Sequence, residues 1–244
     1  MKKVCLLSIS LFLSSLSVFA QREADPRWVF MMGLSGTDMS RSLVPNTGDP
    51  MIKPAFTFGF ARNIELVPKM IGINVGLRYS PRGYWSEQRS PEREYTYGDN
   101  NTFRFADRTR SWNALHYLDI PLDVVLQVGG ERTKFYASAG GYVGYGFYGK
   151  NKVRFNKVGF AADSSQAGFE PVQTYHRVNV DPFKESLKRL DYGINVSVGI
   201  RRNYTVLGLT YSQGLANVSN LARNGSVSNR SFGLFIKYYF DDAF

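Results

Sequence analysis

Residues Leu190–Arg201 read LDYGINVSVGIR. Tyr192, Ile194, Val196, Val198 and Ile200 share one parity; Gly193, Asn195, Ser197, Gly199 and Arg201 share the other. Period two marks a strand with one apolar and one polar face, whereas a helix would repeat apolar residues three or four apart. Ile71–Ser80 and Leu118–Gln127 alternate in the same way. Eight such runs can be drawn, at Trp28–Ser35, Lys53–Arg62, Met70–Arg82, Tyr117–Gln127, Lys134–Gly149, Leu190–Arg201, Tyr204–Gly214 and Arg230–Phe240. Most exceed the ~5–6 residues of an ordinary globular strand and match the ~9–11 of a tilted membrane-spanning one.

The connections sort by length. Ser35–Ile52, Gly83–His116, Lys150–Arg189 and Leu215–Asn229 are long, and Asn63–Lys69, Val128–Thr133 and Arg202–Asn203 between them are short. An even strand number with long loops at one end and tight turns at the other describes an antiparallel outer-membrane β-barrel, long loops outside and short turns in the periplasm. In the last run Phe232, Leu234, Ile236, Tyr238 and Phe240 would meet lipid, and Ser231, Gly233, Phe235, Lys237 and Tyr239 the lumen. A soluble lipocalin-type barrel would swap the faces, with apolar side chains inside. Periodicity alone leaves both open; the sorted loops, strand length and export signal favour the membrane.

Composition narrows the classes. The 244 residues are 43% hydrophobic and 15% aromatic, which a disordered chain would not be. One cysteine, Cys5, builds neither a disulfide nor a cysteine-ligated metal centre. Met1-Lys2-Lys3, the apolar Val4–Phe19 and the small Ala20 read as a secretory signal peptide, residues 1–20, ahead of a single barrel domain, 21–244. Cleavage after Ala20 would remove two lysines and no acid, lowering the net charge from +10 to +8. The expected location is the outer membrane.

Residue types that carry chemistry are sparse. No nucleotide fingerprint, metal-ligand spacing or nucleophile elbow occurs, so neither a cofactor nor an enzymatic activity is expected. His116 and His176 lie at or in long connections without clustered carboxylates. Gly140, Gly141, Gly144 and Gly146 fall within a strand, where close packing or a curved wall explains them better than a phosphate cradle. The lumen parity holds Arg78, Asp119, Asp123, Asp191, Arg201 and Lys237, three bases and three acids. Buried charges need partners, so these are expected to form a network, with Arg78 and Asp119 at equal height on neighbouring strands. The third long connection mixes Phe155, Phe160, Phe169, Tyr175 and Phe183 with Lys150, Lys152, Arg154, Lys157, Arg177, Lys184, Lys188 and Arg189. An exported barrel rarely meets nucleic acid, so anionic lipopolysaccharide, a partner protein or self-packing is the expected role of that loop.

GLRYSPRGYW (Gly76–Trp85), HYLDIPLDVVLQV (His116–Val128), YASAGGYVGYGF (Tyr136–Phe147) and the closing DYGINVSVGI to RSFGLFIKYYF resemble the small outer-membrane β-barrels of the Bacteroidota. Ser231, Gly233, Ile236, Tyr238 and Phe240 resemble the barrel-assembly signal, although four residues follow Phe240. Within that family the length, basic loop and N-terminal segment look most like the PorT (SprT) proteins. That resemblance implies a non-enzymatic accessory role in type IX secretion, with other secretion proteins, the barrel-assembly machinery and outer-membrane lipid as partners. The rival readings are an adhesive surface barrel acting through its loops, and a lipid-modifying enzyme using His116 with Ser111 or Ser86.

Overall fold

The structure, a computed structural model, describes residues 27–41, 50–89, 93–97, 101–130, 132–161, 176–220 and 226–240. The expected signal peptide lies outside these residues. The elements are β1 (Arg27–Arg41), β2 (Pro50–Met51), β3 (Lys53–Val67), β4 (Ile71–Arg89), β5 (Arg93–Tyr97), β6 (Asn101–Gly129), β7 (Thr133–Ala161), β8 (His176–Val180), α1 (Pro182–Glu185), β9 (Leu190–Arg202), β10 (Thr205–Gly214) and β11 (Val227–Phe240). Eight strands form an antiparallel ring in the order β1-β3-β4-β6-β7-β9-β10-β11, closed by pairing of β1 with β11 from Trp28↔Phe240 to Arg41↔Val227. Closure removes the sheet edges, which is what a bilayer core demands of a spanning sheet; the β4–β6 ladder is interrupted at Gly76 and Leu77, opposite Pro121 and Ile120.

The three short connections turn tightly. Asn203 (φ 53°) and Lys69 (φ 59°) take left-handed backbone at the β9–β10 and β3–β4 turns, and Gly129 (φ 148°) does so after β6. Asparagine tolerates that region through its short polar side chain.

Two of the long connections are shorter than the sequence suggests. Much of Gly83–His116 and Lys150–Arg189 is strand: β4 runs on to Arg89, β6 starts at Asn101 and β7 ends at Ala161. β6 and β7 have 29 residues each, well beyond the ~9–11 that span a bilayer. Their far halves project from the ring. There Arg108, Thr109, Arg110 and Ser111 are half-exposed or exposed on alternate faces, so no hydrophobic parity announces the strand.

Parity otherwise sorts by face. Ile194, Val196, Leu207, Leu209, Leu234 and Ile236 are all exposed on the outer wall. Tyr79, His116, Phe147 and Tyr148 cluster at its upper edge, and Trp28, Tyr204 and Tyr238 lie at the short-turn end. Aromatic girdles flanking an apolar band mark the two interfaces of a membrane barrel.

The lumen is filled in layers. Val29, Met31, Ala61, Val125, Tyr136, Val206, Phe235 and Tyr239 pack at the short-turn end. At the other end Phe183 and Leu187, on and just after α1, pack on Met39, Tyr84, Leu115, Tyr117, Ala216 and Val218. Asp181 caps α1 by accepting from the Phe183 amide at 3.0 Å, and Pro182 occupies its first turn.

Candidate functional site

Between the two apolar layers lies a charged one. Strand register places Arg78, Asp119, Gly144 and Asp191 in a single row across β4, β6, β7 and β9. Arg78 donates to Asp119 Oδ2 at 3.1 Å and to Asn195 Oδ1 at 3.3 Å. Asp119 and Asp191 are both wholly buried.

The organising residue is Arg82, absent from the set drawn from sequence. It donates to both Asp119 oxygens at 2.7 Å and also to Asp191 Oδ2. Its guanidinium stacks over Tyr117 at 4.4 Å and Tyr142 at 4.7 Å. A planar fork that meets two carboxylates while stacked on rings suits arginine and not lysine. Asn229 also donates to Asp191, at 2.8 Å. Arg82 shares its parity with Arg78 and was visible as the last residue of its run, where a strand end does not fix which way a side chain points.

The remaining expected residues also point inward, but not into one cluster. Asp123 accepts from Asn195 Nδ2 at 3.4 Å and reaches Arg78 only through that amide. Arg201 donates to Gln127 Oε1 and, at 2.8 Å, to the Asn203 carbonyl near the short-turn end. Lys237 donates to the Tyr136 hydroxyl at 2.7 Å and stands over the Phe235 ring at 5.0 Å. Acids and bases are therefore split between two heights, with only Arg78, Arg82, Asp119 and Asp191 joined by salt bridges in the lumen among the described residues.

Glycines make this layer possible. Gly144 lies between Asp119 and Asp191, where an added Cβ would meet Asp119 Oδ1 at 2.3 Å. Gly146 gives way to the Phe183 ring, which a Cβ would meet at 2.3 Å. Gly141, on the outer wall, would bring its Cβ no nearer than 3.4 Å to any atom. Gly144→Ala is accordingly expected to lower the stability of the refolded barrel by ~1–3 kcal/mol, the usual range for overpacking. Gly141→Ala should leave the urea midpoint within error, and equal losses at both would contradict the packing described.

His116 sits on the outer wall, with Nδ1 2.5 Å from the Tyr79 hydroxyl and its ring against Tyr148. Ser86 and Ser111 pair across β4 and β6 on the opposite parity, and Ser111 Oγ lies 3.5 Å from Asn151 Oδ1. The structure does not bring these serines and His116 to one face. The His176 side chain lies outside the described residues, as do those of Phe155, Lys157, Phe160, Phe169 and Tyr175. Of the assembly-signal residues, Ile236 and Tyr238 face outward, Gly233 packs on the Leu34 carbonyl, and Ser231 pairs with Ser212. Phe240 closes the seam opposite Trp28.

No curated protein matches the chain. Among solved structures it is similar to Neisserial surface protein A, at 10% identity over 87% of this chain and 97% of that one, with a TM-score of 0.37. It is also similar to Ail, the attachment invasion locus protein of Yersinia pestis (9% identity, 88% and 99% covered, TM-score 0.31). A third likeness is to the N-terminal β-barrel domain of Pseudomonas aeruginosa OprF (9%, 86% and 97%, 0.30). The sequence family described as outer membrane protein beta-barrel domain matches residues 19–220, most of the chain, and this protein belongs to that family.

Proposed function

We propose that this barrel is a non-enzymatic accessory component of type IX protein secretion, reached through a leader cleaved after Ala20. The observation that carries an accessory role is the filled lumen. Arg82, Tyr117, Tyr142 and Phe183 occupy the interior that a conduit would need open. An eight-stranded ring is just wide enough for its own side chains. Any part in export is therefore played by its surfaces, toward other secretion proteins, lipid and, during insertion, the assembly machinery. The assignment to type IX secretion and to the PorT (SprT) group rests on the length, the basic loop and the N-terminal segment, within the small Bacteroidota barrels that Gly76–Trp85, His116–Val128 and Tyr136–Phe147 resemble.

The deciding experiment deletes the gene and follows proteins that the system normally delivers to the surface. Periplasmic accumulation, reversed by the wild-type gene, is the expected result. Normal surface delivery would overturn the secretion role. It would favour the adhesive reading instead, for which the projecting halves of β6 and β7 supply the surface.

The long connections are placed outside the cell. Proteinase K added to intact cells should cut within residues 83–116 or 150–189, since exposed loop tips are nicked first. Cutting only after permeabilisation would reverse the topology.

A further inference from the structure

Above the aromatic girdle the outer wall of β4, β6 and β7 carries a second, distinct pattern. Direct pairing puts Met51, Trp85, Trp112 and Lys152 in one row on one face. The next row up holds Glu87, Arg110 and Arg154, and the next row down Gly83, Ala114 and Lys150. Trp85 and Trp112 lie 5.0 Å apart between ring centroids, and Lys152 Nζ stands 5.9 Å from the Trp112 ring. Together with Met51, Arg110 and Arg154 they line a cavity of about 420 Å³.

Two features of this surface call for a ligand. Trp112 and Met51 are about half exposed, although they stand beyond the girdle. The Trp85 indole Nε1 is buried without an acceptor among the described residues. The charge is lopsided as well. Among the described side chains of this face, Arg108, Arg110, Lys150, Lys152 and Arg154 stand with one acid, Glu87. Glu87 is itself taken up by Arg108 at 2.5 Å and Arg110 at 3.0 Å. Slight burial opposes its ionisation, but those two hydrogen bonds and charges outweigh it and hold the carboxyl below its usual range.

Trp85 lies six residues beyond Tyr79 on β4. At ~3.3 Å per residue and a strand tilt of ~40°, that is roughly 15 Å above the girdle. In the outer leaflet this is the level of the acidic sugars and phosphates that crown lipid A. Tryptophan faces cover the apolar faces of sugar rings, and cations answer carboxylates and phosphates. We infer that Trp85, Trp112, Lys152 and Arg154 form a binding site for the anionic inner core of lipopolysaccharide on the outer wall of the barrel. The inference rests on the sidedness proposed above, and not on any role in secretion.

The test titrates the refolded barrel in detergent micelles with lipid A bearing two acidic core sugars, and reads tryptophan emission. The chain has three tryptophans, two of them in the site, and Trp28→Phe removes the third. Saturable binding is expected, weakened at least tenfold in Lys152→Glu/Arg154→Glu and also by 0.5 M salt, which shortens the Debye length to ~4 Å. Trp112→Ala should abolish most of the emission change. Lys184→Glu/Lys188→Glu, an equal charge reversal on and after α1, should bind as wild type. Heat-modifiable migration on gels confirms folding of every variant. Three results would each overturn the proposal: unchanged affinity in the Lys152/Arg154 variant, equal weakening in the Lys184/Lys188 variant, or an equal response to inorganic phosphate alone. Binding that survives here while protease shows the reverse topology would overturn the placement and leave the chemistry of the surface intact.

Discussion

Arg82→Ala is expected to be the most destabilising single change in the lumen. It removes three hydrogen bonds to two wholly buried carboxylates. Asp119 keeps Arg78 at 3.1 Å, whereas Asp191 is left with Asn229 and Tyr142. Breaking a buried pair by deleting one partner costs ~3–5 kcal/mol, because the remaining charge is uncompensated. The urea midpoint of Arg82→Ala should fall accordingly, and Arg82→Ala/Asp191→Asn should recover part of the loss. Strictly additive effects would mean that the two groups do not interact. Arg78→Ala should cost less, since Asp119 retains both contacts from Arg82.

Leu209→Arg should be the most damaging change on the outer wall. Leu209 pairs with Leu234 and Val198, at mid-height of the apolar band. An arginine there costs ~2–4 kcal/mol, falling to ~0–1 near an interface. Thr205→Arg, on the same face but at the short-turn end, should therefore lie within ~1 kcal/mol of wild type. Urea unfolding in lipid vesicles measures both. Equal tolerance at the two positions would point to an outer face in water.

The ring was legible where one face of a strand is apolar and the other is not. All eight membrane strands show that parity between Trp28 and Phe240, and Arg78↔Asp119 pair at the height that counting along the strands implies. The projecting halves of β6 and β7 were not legible. Residues such as Arg108, Thr109, Arg110 and Ser111 alternate between two wet faces, so hydropathy carries no period there. Arg82 escaped for a related reason, lying at the point where the apolar parity of its strand fades. The upper plug had a local signature, Asp181 before Pro182, but a four-residue helix leaves too short a pattern to separate from loop. That Phe183 enters the barrel is decided by Gly146 on a distant strand, which no local reading of the loop contains.

The central claim is that one parity of each strand meets lipid while the other faces a filled interior. A nitroxide scan along residues 205–213 of β10 in lipid vesicles tests it directly. The only native cysteine, Cys5, lies outside that strand. Oxygen accessibility should alternate with period two, with maxima at 207, 209 and 211 and minima at 206, 208 and 210. Maxima on the other parity, or no alternation at all, would contradict the account.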